Sequence, residues 1–126
     1  MKSRTEFVYR GQVWSTVGMW AWLLHRITGV CLLFYILQFH AILVITLLLR
    51  GEEAFNAMLA MLMYHPIFKV LNALMLAAVC YHIVNGARLL LHDIGIGVNV
   101  NATQKAFRIC LVVSAVLWLS TVFFIL

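Results

Sequence analysis

Residues 27–49 read ITGVCLLFYILQFHAILVITLLL, with no lysine, arginine, aspartate or glutamate. Two further apolar stretches follow, one from Ile67 to Leu91 and one from Ile109 to Leu126. About 20 such residues in helical form cross the ~30 Å hydrocarbon layer of a bilayer. Lipid offers the backbone no hydrogen-bond partner, so a spanning segment must be a helix or a closed-barrel strand. These runs exceed strand length and lack period-2 alternation. The sequence therefore predicts an all-α membrane protein, with transmembrane helices at about 22–49, 66–91 and 105–126 and an interfacial arm over residues 1–20. Nothing divides the 126 residues into more than one membrane domain.

Composition agrees with that reading. Hydrophobic residues make up 65% of the chain and charged residues 10%, which leaves too little polar surface for a soluble domain. The net charge of +5 comes from sparse basic residues flanking apolar runs. That pattern fits membrane topology and gives no reason to expect nucleic acid as a partner. Lys2, Arg4, Arg10 and Arg26 precede or open the first helix, and Arg88, Lys105 and Arg108 surround the second connection. Arg50 and Lys69 in the first connection are opposed by Glu52 and Glu53. The positive-inside rule then places the N-terminus in the cytoplasm. Trp14, Trp20 and Trp22 suit the membrane–water interface. No apolar signal-peptide core precedes residue 16, so the first helix is expected to insert without cleavage. Cys31, Cys80 and Cys110 all lie in apolar runs, without metal-ligand spacing, and are expected to be small packing residues.

Polar side chains inside the apolar runs are the functional candidates, because a membrane helix carries them at a cost. His82 lies six residues before Arg88, about 9 Å deeper along the helix axis. Gly86 is one turn further on and leaves room near the backbone for a bulky group such as a flat macrocycle. Neutral imidazole is a common iron ligand, and the competing reading is a histidine hydrogen-bonded to a neighbouring helix. His25 and Arg26 open the first helix at the same depth, with Gly29 one turn beyond His25. They form a donor cluster suited to carboxylates such as haem propionates, and Arg26 suits a quinone carbonyl. A plain basic flank is the alternative. His40 lies about 22 Å beyond His25 along the axis, as a candidate for a second haem ligand, a bridge to a propionate or a structural hydrogen bond. Arg88 is expected to snorkel, with Asp93 pairing to it or to Arg26. A single deep histidine gives one axial ligand, so a six-coordinate haem would need another chain. That points to a subunit of a heteromeric helix bundle.

Two motifs carry a family resemblance. HRITG at residues 25–29 resembles the H-R-x-[ST]-G signature of the cytochrome b556 membrane anchors of succinate dehydrogenase. YHIVNGARLLLHDIG at residues 81–95 resembles the second signature of that family, Y-H-x-x-x-G-x-R followed by aspartate and glycine. The resemblance covers about residues 18–126. It implies His82 as an axial ligand of haem b, with the opposite ligand supplied by a second, small membrane-anchor subunit. It implies His25 and Arg26 near the haem propionates and the quinone, with Arg88 also at the cofactor. Family members often have serine three residues before the motif histidine, where this chain has Trp22. The quinone contacts are therefore assigned to Arg26 and Trp22. Some anchors of this superfamily hold two haems, which makes His40 the candidate for the distal one. The implied partners are a flavoprotein subunit, an iron–sulfur subunit, the small anchor, lipid and quinone, in a bacterial plasma membrane. The chain has no flavin, nicotinamide or iron–sulfur motif, so it would not oxidise succinate alone. A haem-free structural or quinone-binding anchor of a fumarate reductase-type complex is the alternative.

Overall fold

The computed structural model describes residues 17–96 and 99–125. It contains three helices, α1 (Met19–Tyr64), α2 (Pro66–Asp93) and α3 (Val100–Ile125). All three are long and apolar enough to cross a membrane, and no strand occurs among the described residues. Most of the expected interfacial arm, with Trp14, Lys2, Arg4 and Arg10, lies outside the described residues.

The largest departure from the sequence reading is at the first connection. Residues 50–65 were expected to form a loop, because Arg50, Glu52 and Glu53 interrupt the hydropathy. They are helical instead, and α1 runs 46 residues to Tyr64. At 1.5 Å per residue a straight helix of that length would be about 69 Å, more than twice the hydrocarbon thickness. Gly51 resolves the mismatch. It is the one non-helical residue inside α1, at φ 81° and ψ −175°, a region that essentially only glycine occupies. The chain breaks direction there and continues as AFNAMLAMLMY, a run rich in the strong helix formers alanine, leucine and methionine.

Two tight connections then set the order of the helices. His65 caps α2, its Nδ1 accepting from the Ile67 amide at 3.4 Å, and Pro66 occupies the first turn, where no amide is needed. At the other end Gly95 adopts φ 86°. Its amide donates to the His92 carbonyl at 3.0 Å, and the Ile96 amide donates to the Leu91 carbonyl at 2.9 Å. This is the paired bonding of a Schellman stop. Asn99 starts α3 by accepting the Ala102 amide at 2.7 Å.

α2 is the middle helix, with α1 packed on one side and α3 on the other. The usual burial pattern is inverted. Asn85, Arg88, Thr103 and Ser114 are buried, whereas Leu48, Leu49, Phe123 and Phe124 are more than three-quarters exposed. Lipid solvates apolar side chains on every face, so the helices join through close packing and polar contacts. Away from the His25 end of α1, Tyr35 donates to Asn72 Oδ1, and Asn72 Nδ2 donates to the Leu62 carbonyl beyond the break at 3.0 Å. Trp118 Nε1 donates to the Ala73 carbonyl at 2.8 Å and ties α3 to α2. The cysteines divide by position: Cys110 is buried as expected, Cys80 is half-buried and Cys31 is exposed on the outer face of α1.

Replacing Gly51 with alanine should cost about 1–3 kcal/mol, because alanine must leave the glycine-only region or strain to stay there. The check is the unfolding temperature of the purified protein in detergent. It should fall for Gly51→Ala relative to wild type.

Candidate functional site

The sequence candidates converge where α1 begins and α2 ends. Ala21, His25, Thr28 and Gly29 recur at helical spacing on α1, and Tyr81, His82, Asn85 and Gly86 do so on α2. The two histidines meet face to face, with ring centroids 3.9 Å apart and planes 10° from parallel. The glycines work reciprocally. A Cβ on Gly29 would lie 2.9 Å from His82 Cε1, and a Cβ on Gly86 would lie 3.4 Å from His25 Cε1. Each glycine therefore makes room for the histidine of the opposite helix. This corrects the expectation that Gly86 opens space on the His82 face for a macrocycle. The space at Gly86 belongs to His25.

Hydrogen bonds fix one of the two rings. Thr28 Oγ1 lies 3.1 Å from His82 Nδ1 and also reaches the Leu24 and His25 carbonyls at 2.8 and 3.0 Å. His25 Nδ1 is buried without a hydrogen-bond partner among the described residues. An unsatisfied buried ring nitrogen is costly in an apolar surround.

Beside the stack is a second cluster that the sequence reading missed. Asn85 is fully buried. Its Nδ2 donates to the Ala21 carbonyl at 3.3 Å, and Tyr81 donates to the same oxygen at 3.2 Å. Its Oδ1 accepts from Arg88 Nε at 2.9 Å and lies 4.0 Å from Cys110 Sγ. One side chain therefore connects all three helices. The signal was available: Tyr81, Asn85 and Arg88 recur at i, i+4 and i+7, a polar stripe down an apolar helix.

Arg88 does not snorkel. It is 7% exposed, bonded to Asn85, and its guanidinium stands 5.9 Å from the Phe107 ring centroid. It therefore turns inward rather than toward Asp93. Arg26 lies on the exposed side of α1, its guanidinium 4.2 Å over the Trp22 ring, within cation–π range. The structure brings Arg26 and Trp22 together. His40 is exposed and distant from this cluster, its Nδ1 2.8 Å from the Ile36 carbonyl. A cavity of about 480 Å³ near that end is lined by Tyr35, Phe39, Lys69 and Asn72 but not by His40.

Three helices long and apolar enough to span a membrane, with histidines and an arginine gathered at one end of the α1–α2 contact, define a multi-pass membrane protein with a polar site. The family model for the succinate dehydrogenase/fumarate reductase transmembrane subunit matches residues 1–121. The chain belongs to this family, as a membrane-anchor subunit of the succinate dehydrogenase class. It is 36% identical over 107 residues to a succinate dehydrogenase hydrophobic membrane anchor subunit of Halobacterium salinarum, covering 85% of this chain and 79% of that one. It is 35% identical over 86 residues to succinate dehydrogenase 2 membrane subunit SdhC of Mycobacterium tuberculosis, covering 68% of this chain and 58% of that one. No solved structure matches the chain significantly.

The glycine contacts predict an ordered pair of effects. Gly29→Ala should lower the melting temperature and yield of the purified protein clearly, because its Cβ would overlap a ring held on another side by Thr28. Gly86→Ala should be close to wild type, since 3.4 Å is near ordinary contact. Asn85→Leu should cost about 1–3 kcal/mol by leaving the buried Arg88 without its acceptor.

Proposed function

We propose that the chain holds haem b through His82 and forms part of a quinone site with Arg26 and Trp22. The observation that carries this reading is His82 itself. Its Nδ1 lies 3.1 Å from Thr28 Oγ1, and that contact engages only one of the two ring nitrogens. An imidazole held by one nitrogen with the other uncommitted is the donor a haem iron requires. The orphaned Nδ1 of His25 fits a role for that residue beside a carboxylate such as a haem propionate. Arg88 has Nε committed to Asn85, and the remaining donors of its planar fork suit the same kind of group.

Bound haem supplies reversible one-electron chemistry. His82 would hold the haem from this chain, and a second, small anchor subunit would supply the remaining protein ligand. A flavoprotein and an iron–sulfur subunit complete the complex and deliver electrons from succinate. Arg26 offers a fixed positive charge where negative charge develops on a quinone oxygen during reduction. Stacked on Trp22, its guanidinium is already oriented, and the indole offers an apolar face for the quinone ring. The basic residues around residues 1–26 and 88–108 favour a cytoplasmic N-terminus. His40 is the candidate for a second haem. A carbonyl only accepts, so its Nδ1 donates to Ile36 and its Nε2 is left for other chemistry.

The test is a reduced-minus-oxidised spectrum with pyridine haemochrome quantitation on the purified complex, for wild type, His82→Ala and His40→Ala. Haem lost in His82→Ala and kept in His40→Ala supports a single haem at His82. Two haems, one lost in each variant, add the second site at His40. Haem-free wild type sinks the ligand assignment and leaves the haem-free anchor. Arg26→Leu should lower quinone reductase turnover at least 10-fold while succinate oxidation with a soluble acceptor continues.

A further inference from the structure

We propose that Thr28 is a positioning residue that fixes the tautomer of His82 and thereby tunes the iron it ligates. The proposal rests on the reading of His82 as the haem ligand. A threonine hydroxyl has one hydrogen and two lone pairs. Thr28 Oγ1 lies 2.8 Å from the Leu24 carbonyl and 3.0 Å from the His25 carbonyl, and a carbonyl only accepts. The single hydroxyl hydrogen is therefore directed to the backbone of α1. The contact with His82 at 3.1 Å must then run the other way, with Nδ1–H donating and Oγ1 accepting. A neutral imidazole with its proton on Nδ1 carries its lone pair on Nε2.

The surrounding contacts hold the ring in that state. His25 covers one face at 3.9 Å, and Gly29 lies against the Cε1 edge. His25, Thr28 and Gly29 are spaced i, i+3 and i+4 on α1, so one helical face grips the ring from three directions. Rotation of the imidazole by half a turn would remove Nδ1 from its acceptor. The hydroxyl back-bond keeps Thr28 as an acceptor whatever the state of the iron. Donation from Nδ1–H raises the basicity of Nε2, which favours the more highly charged ferric form.

The experiment is a redox titration of the purified complex, followed at the reduced haem band, with haem stoichiometry, for wild type, Thr28→Val and Thr28→Ser. Valine keeps the branched shape and removes the acceptor. Serine keeps the acceptor. The expected result is a higher haem midpoint potential in Thr28→Val and haem affinity weakened about 10–100-fold, with Thr28→Ser close to wild type. Should Thr28→Val not assemble, Thr28→Ala is read in its place by the same criteria. A valine or alanine variant with wild-type potential and affinity overturns the proposal, as does a serine variant shifted as far as valine. Either result leaves His82 as ligand. Wild type without haem overturns the ligand reading itself and is distinguished before any variant is compared.

Discussion

A buried asparagine holds the site together. Asn85 gives its amide hydrogen to the Ala21 carbonyl on α1, takes the Arg88 side chain on its own helix, and faces the Cys110 thiol on α3. In water such bonds would compete with solvent. In lipid the alternative is a polar group with no partner at all, so the bonds specify which helix faces meet. The small side chain at Ala21 is what allows Tyr81 and Asn85 to reach the backbone behind it.

The histidine pair depends on the same close approach. With α1 and α2 drawn together at Ala21, the rings of His25 and His82 have no space except against each other and against Gly29 and Gly86. A Cβ at Gly29 would push the helices apart or rotate the His82 ring, whereas one at Gly86 would only touch His25. The arrangement separates two kinds of chemistry by helix face. His82, Thr28 and Asn85 face the α1–α2 contact. Arg26 and Trp22 face outward, stacked on each other at the exposed side of α1. Arg88 is the exception among the basic residues, since it turns into the protein rather than toward the membrane surface.

The opposite end is organised by a different device. Gly51 breaks a helix too long for the bilayer, and Asn72 joins Tyr35 before the break to Leu62 after it. This leaves a cavity between the two parts of α1 and the start of α2. His40 lies outside that cavity, on the exposed face of α1. Its role is therefore decided by whatever covers that face in the assembled complex.

The sequence by itself determined the number of spanning helices, because run length against bilayer thickness admits few solutions. It also set His25 and His82 at matching heights along their helices, because helical rise converts residue spacing into distance. The helical continuation past Gly51 was not legible, since charges mask helix propensity in a hydropathy reading and a lone glycine looks like a turn. The tertiary structure alone decided what each polar group faces. Thr28 appears in the sequence only as a motif position and Asn85 only as part of a polar stripe, and Arg88 at a helix end reads as a snorkelling cation. Their roles come from rotation of one helix against another, and that rotation is set by contacts between residues 54 to 64 positions apart in the chain.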